Sequence, residues 1–246
     1  MHDHFQASHS ASAALDDLYS YRSSAAPVLS VARMPGYRVA DTFRYRFLKR
    51  ILDVLFVLIS APVVLPLIAI VSALVLLTSP GPIFYSHRRI RKNGSFFSMW
   101  KFRTMCANST EVLDEYLSKD PGARLEWKRT HKLKHDPRIT PIGRFLRRYS
   151  LDELPQVWNV IRGQMTLVGP RPIVAAEVEK YGSGYYFYCM VKPGLTGLWQ
   201  VSGRSELSYP QRVELDCAYV ERWSLRRDFL ILCKTFLSVA NQDGAY

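Results

Sequence analysis

Cysteine is scarce: four residues in 246, Cys106, Cys189, Cys217 and Cys233, with no CxxC pair and no dense spacing. That pattern excludes a disulfide-stapled scaffold and a cysteine-built zinc site, and it suits a reducing compartment. His131 and His135 stand four apart and could share a helical face, and they read as a solvated pair. No basic stretch followed by an apolar core opens the chain, which excludes a secretory signal peptide. Acidic residues are few as well, 21 Asp and Glu against 33 Lys and Arg, and the formal charge of +12 points to anionic partners: nucleic acid, anionic lipid headgroups or phosphorylated substrates. No combination of basic and aromatic residues matches a nucleic-acid module, and no nucleic-acid partner is expected.

One long apolar run is present. Arg44, Arg46, Lys49 and Arg50 lead into Ile51 to Thr78, which Asp53 alone interrupts with a charge. About 20 apolar residues suffice to cross a bilayer as a helix, so this is a membrane segment. Its far end carries His87, Arg88, Arg89, Arg91 and Lys92, and two basic flanks place both ends in the cytoplasm by the positive-inside tendency. Pro62 and Pro66, one turn apart near the middle, give a place to bend. The expectation is a re-entrant helical hairpin, with Ser60 as a partner for carbonyls freed at the bend. Residues 1–40, rich in Ser, Ala and His, read as a disordered tail, residues 41–80 as the basic flank and membrane segment, and residues 81–246 as one cytoplasmic domain. The fold class expected is α+β, mostly helical, with a short β-hairpin and interfacial helices.

Ser79-Pro80-Gly81-Pro82 is a turn returning the chain to water. Ile83 to Tyr85 and Phe96 to Phe102 read as strands, with a hairpin turn at Lys92-Asn93-Gly94. Lys101 and Arg103 then supply two cations that can face a phosphate. Thr140 as N-cap and Pro141 at the first position open a helix whose buried stripe is Ile142, Phe145, Leu146 and Tyr149. Arg144, Arg147 and Arg148 share another face and arrive beside Asp152 and Glu153. Asp152 reads as the cap of the next helix, with Leu154, Val157, Trp158 and Ile161 as its apolar stripe and Gly163 at its end. Cations and a helix N-terminus favour ionised carboxylates, which makes Asp152 a candidate nucleophile or metal ligand and makes the pair suited to Mg²⁺. Downstream, Val168 to Pro172 fixes Arg171 in a rigid turn. Lys192 to Arg204 is a Gly-rich loop with Lys192, Arg204 and Trp199 around it, and Arg212 to Ala240 reads as helices with interleaved aromatic and basic residues that suit either a membrane interface or a small core.

From Lys49 onward the chain resembles the bacterial sugar transferases that start glycan assembly on a polyprenol phosphate. The resemblance rests on Lys49 to Asp53, Ser79 to Pro82, Lys101 to Met105, Asp136 to Thr140, Leu146 to Gln156, Val168 to Pro172 and Pro193 to Arg204, in that order. It implies a monotopic enzyme of the cytoplasmic (bacterial inner) membrane, with its catalytic domain on the cytoplasmic face. The implied reaction moves a hexose-1-phosphate of glucose or galactose type from a UDP-sugar to undecaprenyl phosphate, with Mg²⁺ and release of UMP, at the start of exopolysaccharide synthesis. Asp152 is then the residue that forms a covalent phosphosugar intermediate, and Glu153 helps it hold the metal. Arg147 and Arg171 are the first candidates for phosphate contacts, followed by Lys101, Arg103 and Arg204. Three positions depart from the family pattern: Leu65-Pro66 replaces Ser-Pro at the bend, Arg91 stands where glycine is usual, and His87 where glutamine is common. Protein partners left open are a second copy of the chain and later glycosyltransferases. The competing class is a non-catalytic basic scaffold at the membrane surface.

Overall fold

The apolar run forms α1 (Phe43–Thr78), one continuous helix that contains both Pro62 and Pro66. The structure, a computed structural model, describes residues 43–130, 132–203 and 206–240; the tail expected over residues 1–40, His131 and Arg204 lie outside these. The expected helix hairpin is therefore not seen as two helices with a break between them. Each proline removes a single N–H, and two such losses one turn apart leave the remaining ladder of this long helix intact. Ser60 does not serve the carbonyl that Pro62 deprives of its donor, that of Leu58; its hydroxyl donates to the Val57 carbonyl at 3.1 Å.

Protein covers the two ends of α1 and leaves its middle bare. Leu58, Ile59, Val63 and Leu65 are 63–71% exposed, a contiguous apolar surface that water does not favour. Near the N-terminal end, Lys49 Nζ meets Asp228 Oδ2 at 2.6 Å in a buried pair, and Asp53 accepts hydrogen bonds from the Thr166 hydroxyl and the Leu167 N–H. Toward the other end, Val71 and Val75 are buried in one cluster with Phe102 and Leu146.

The domain begins with β1 (Phe84–Ile90) and β2 (Phe96–Phe102), an antiparallel pair in the register Tyr85↔Lys101, His87↔Met99, Arg89↔Phe97. The first strand runs on through the basic segment that reads in sequence as a membrane flank. The turn between them is where the sequence places it: Asn93 (φ 65) and Gly94 (φ 72) take the left-handed conformation that these residue types tolerate best. Two charged helices, α2 (Ser109–Lys119) and α3 (Pro121–Thr130), follow, and α2 buries no residue. α4 (Pro141–Arg148) starts as expected, with the Thr140 hydroxyl accepting from the Gly143 N–H at 3.0 Å. A Cβ on Gly143 would lie 2.1 Å from the Thr104 carbonyl oxygen, so only glycine lets α4 seat against the end of β2.

α5 (Gln156–Ile161) leads to β3 (Thr166–Val168), and the short helices α6 (Val178–Tyr181) and α7 (Gly184–Met190) lead to β4 (Gly194–Thr196), which pairs parallel with β3. The chain closes with α8 (Tyr209–Glu221) and α9 (Leu225–Ala240). Val160, Met165, Leu167, Val168, Val191, Tyr219 and Ile231 make the main core, so β3, α8 and α9 enclose it together with the foot of α1. The mostly helical α+β class is as the sequence implies. On α9, Phe229, Phe236 and Leu237 remain outside that core and exposed.

Candidate active site

After α4 the chain turns at Ser150, a non-glycine residue held in the left-handed region (φ 54), and forms a single 3₁₀ turn, Leu151–Glu153. Asp152 lies inside this turn and does not cap α5, whose N-terminal flank is Pro155 and receives no side-chain bond. The turn buries Asp152, a residue only 8% exposed, and aims its carboxyl with that of Glu153 at β2. Lys101 answers them both: its Nζ lies 2.6 Å from Glu153 Oε1 and 3.4 Å from Asp152 Oδ2. The register places Lys101 on the same hairpin face as Met99, Arg89 and His87. That face forms one wall of a cleft lined by Arg89, Met99, Glu153, Gln156, Arg171 and Leu195.

The two carboxyls are pushed in opposite directions. Burial raises Asp152 above the ordinary aspartate value and Glu153 adds to the rise, against the opposing pull of Lys101 and Arg147. For Glu153, burial is outweighed by Lys101, Arg171 and Arg89, and its value falls. Adjacent carboxyls with diverging proton affinities can take different roles. Two carboxylate oxygens converging on one cation also form a donor set that a hard ion such as Mg²⁺ accepts. Among the described residues no group of three or more His, Cys, Asp and Glu side chains is ready for a metal, so the remaining ligands would be substrate oxygens and water, with Lys101 giving up the point between the carboxylates.

Arg147 turns inward, its Nε donating to the Thr104 hydroxyl at 3.0 Å and its charge acting on Asp152. Arg144 and Arg148 stay exposed, so the three guanidiniums expected together are not delivered together. Arg171 lines the cleft. Arg103 is buried elsewhere: its Nη2 donates to the Ser79 carbonyl at 2.6 Å and its Nη1 to the Pro80 carbonyl, which clasps the turn after α1. Sequence reading missed three contributors. Arg89 was counted with the membrane flank, although strand alternation aligns it with Lys101. Gln156 is 2% exposed with an unpaired Nε2 beside Glu153 in the cleft wall. Asn159 is wholly buried, accepting from the Trp100 N–H and donating to the Ser98 carbonyl, and so fixes α5 to β2. The last two lie off the stripe of Leu154, Val157, Trp158 and Ile161 that was expected to be buried, and no local signal marks them.

The fold and cleft define a class: a small basic α+β domain built on one long helix with a bare apolar middle, with a buried acidic pair framed by cations. The sequence profile of the bacterial sugar transferases matches residues 44–242, and the chain belongs to that family. It is 52% identical over 201 residues to the UDP-galactose-lipid carrier transferase of Erwinia amylovora, covering 82% of this chain and 42% of that protein. Against the undecaprenyl-phosphate galactose phosphotransferase of Salmonella typhimurium the identity is 49% over 205 residues, again 82% and 42%. The exopolysaccharide production protein ExoY of Rhizobium meliloti is 48% identical over 198 residues, 80% of this chain and 88% of ExoY. The chain thus spans less than half the length of the first two relatives and most of the third.

Proposed function

We propose that this chain transfers a hexose-1-phosphate, of glucose or galactose type, from a UDP-sugar to undecaprenyl phosphate, the first membrane step of exopolysaccharide synthesis. The observation that carries the reading is the buried Asp152–Glu153 pair held by Lys101, with Glu153 facing a cleft that Arg89 and Arg171 line, on a domain whose α1 offers a bare apolar surface. The names of the relatives support the substrate classes.

In this reading an Asp152 carboxylate oxygen attacks the phosphorus that bears the sugar. The bond from that phosphorus to the bridging oxygen breaks, UMP leaves with the electron pair, and an aspartyl phosphosugar remains. A phosphate oxygen of undecaprenyl phosphate then attacks the same phosphorus and returns the Asp152 carboxylate. Phosphoryl transfer depends chiefly on positioning and charge neutralisation, which the chain supplies with Lys101, Arg89, Arg147 and Arg171. Asp152 and Glu153 are the residues to hold Mg²⁺, which when bound would neutralise charge on the diphosphate. Burial helps Asp152, because a carboxylate stripped of water is a stronger nucleophile, although the same burial raises the pH below which it is protonated and inert.

Purified protein in detergent is to be given a panel of UDP-sugars with undecaprenyl phosphate, and UMP release followed. Release with one UDP-hexose, lost by at least about a thousandfold in Asp152→Asn while folding is kept, is the expected result. The Asn variant has no buried charge to desolvate, so its thermal midpoint should equal or exceed the wild type's. Release at the wild-type rate from Asp152→Asn would remove Asp152 as nucleophile. No release with any UDP-sugar would favour the scaffold reading.

A further inference from the structure

A second cavity, of about 400 Å³, lies at the foot of α1 and shares no lining residue with the cleft beside Glu153. Tyr45, Lys49, Arg50 and Asp53 from α1, Lys92 and Asn93 from the hairpin turn, Thr166 from β3 and Lys192 from the loop before β4 surround it. α5 separates the two places. Arg50 reaches the C-terminal end of that helix, donating to the Val160 and Ile161 carbonyls at 2.6 Å each, whereas Asp152 and Glu153 precede its N-terminal end.

The charges do not balance. Lys49 is committed to Asp228, and Asp53, the one carboxylate among the lining residues, is hydrogen-bonded by the Thr166 hydroxyl and the Leu167 N–H and keeps its charge, against the three remaining cations Arg50, Lys92 and Lys192. Arg50 has carbonyl partners, which satisfy its N–H groups without cancelling its charge. Lys192 makes no hydrogen bond or ion pair among the described residues. Gly163 shows how near these two cations lie: a Cβ placed there would be 3.4 Å from Lys192 Nζ and 3.8 Å from Arg50 Cζ. The glycine, at φ 70, therefore leaves open a space flanked by an ammonium and a guanidinium. Cations in excess of the single Asp53 carboxylate repel, and burial together with repulsion from Arg50 lowers the proton affinity of Lys192 against the opposing pull of Asp53.

We propose that this cavity binds one phosphate-ester anion between Arg50 and Lys192, outside the reacting centre. Lys49 and Arg50 stand immediately before the apolar run, so the cavity lies at the level where α1 meets lipid headgroups. The chemistry is that of a phosphate group flanked by a guanidinium and an ammonium. Two sources fit it, the headgroup of an anionic phospholipid and a soluble phosphate. The proposal is independent of the transfer reaction and is tested by binding.

Two arms separate the sources. In the first, the full chain is placed in phosphatidylcholine nanodiscs doped with phosphatidylglycerol, and the phosphatidylglycerol retained per chain is counted by mass spectrometry. In the second, inorganic phosphate is titrated against the thermal midpoint in neutral detergent without lipid. Lys192→Gln is compared with Lys192→Arg, which keeps the charge, and with Lys119→Gln, which removes one from exposed α2. A loss of roughly tenfold in lipid preference or in phosphate half-saturation for Lys192→Gln alone, with Lys192→Arg near wild type, supports the site. An effect confined to the first arm assigns it to a lipid headgroup, and an effect in the second assigns it to a soluble anion. Lys192→Gln indistinguishable from Lys119→Gln in both arms overturns the proposal.

Discussion

Lys101 and Arg103 are two apart and read in sequence as a pair of cations facing one phosphate, yet they do different work. β2 ends at Phe102, so Arg103 lies beyond the alternation that aims Lys101 at the acidic pair. Its guanidinium instead fills the space over Gly81, where a Cβ would come within 2.2 Å of Arg103 Nη1. Arg103 therefore belongs to stability, whereas Arg171 lines the cleft and is proposed to meet substrate. Arg103→Lys should cost about 1–3 kcal/mol in urea unfolding, because a lysine cannot serve both the Ser79 and Pro80 carbonyls, and should leave the KM for the UDP-sugar within about twofold. Arg171→Lys should keep the unfolding midpoint and raise that KM roughly tenfold, since an ammonium cannot replace a fork on phosphate. The reverse pattern would exchange the two roles. Asp152 was legible because an acidic pair after a basic helix is conspicuous. Its partner was not, because Lys101 stands 51 residues away and only the folded register shows the pairing.

At the scale of elements, the helices that obey local rules were the legible ones. α4 has its threonine cap and its proline, and α5 ends near Gly163 (φ 70) as read. The face α5 buries was misread. Trp158 and Ile161 are 50% and 43% exposed while Gln156 and Asn159 are buried, because β2 offers polar backbone groups and the periodicity of apolar residues cannot register that. A second polar contact inside the domain joins α6 to α8: the Tyr181 hydroxyl donates to Asp216 Oδ2 at 2.7 Å, with both residues buried. Burial, opposed by the Tyr181 bond and by Arg171, lifts Asp216 from 3.8 to about 7. The folded protein thus keeps a proton that the unfolded chain gives up above its lower pKa. This stabilisation is complete below about pH 4 and is lost as pH rises through about 7. Asp216→Asn keeps an acceptor for Tyr181 and should remove the slope. Relative to the variant, the wild type should lose a few kcal/mol in urea unfolding between about pH 5 and pH 8, and equal slopes for the two proteins would exclude Asp216 as the cause.

For the whole molecule, the question is how a 36-residue helix meets a bilayer. At about 1.5 Å per residue it would be near 54 Å long if straight, against about 30 Å of hydrocarbon, so length alone permits a crossing. The attachments of its ends do not. Lys49, Arg50 and Asp53 are tied to Asp228, Val160 and Thr166, while Val71 and Val75 pack in the cluster that holds Phe102 and Leu146, and all of these partners belong to one folded domain. A domain of charged helices and buried hydrogen bonds cannot straddle lipid, and we propose that both ends share its side of the membrane. The apolar run and its basic flanks lead to the same expectation from the sequence. The hairpin drawn from Pro62 and Pro66 was less secure, since a proline weakens a helix without dictating a break. We therefore propose that the exposed middle, around Leu58 to Leu65, dips into one leaflet and returns. With the four native cysteines replaced, single cysteines at Thr42 and Arg91 should both react with a membrane-impermeant maleimide in inside-out vesicles and in neither case in right-side-out vesicles. Reaction of the two positions from opposite faces would mean that α1 crosses, and the attachments seen at one of its ends would then have to break in the membrane.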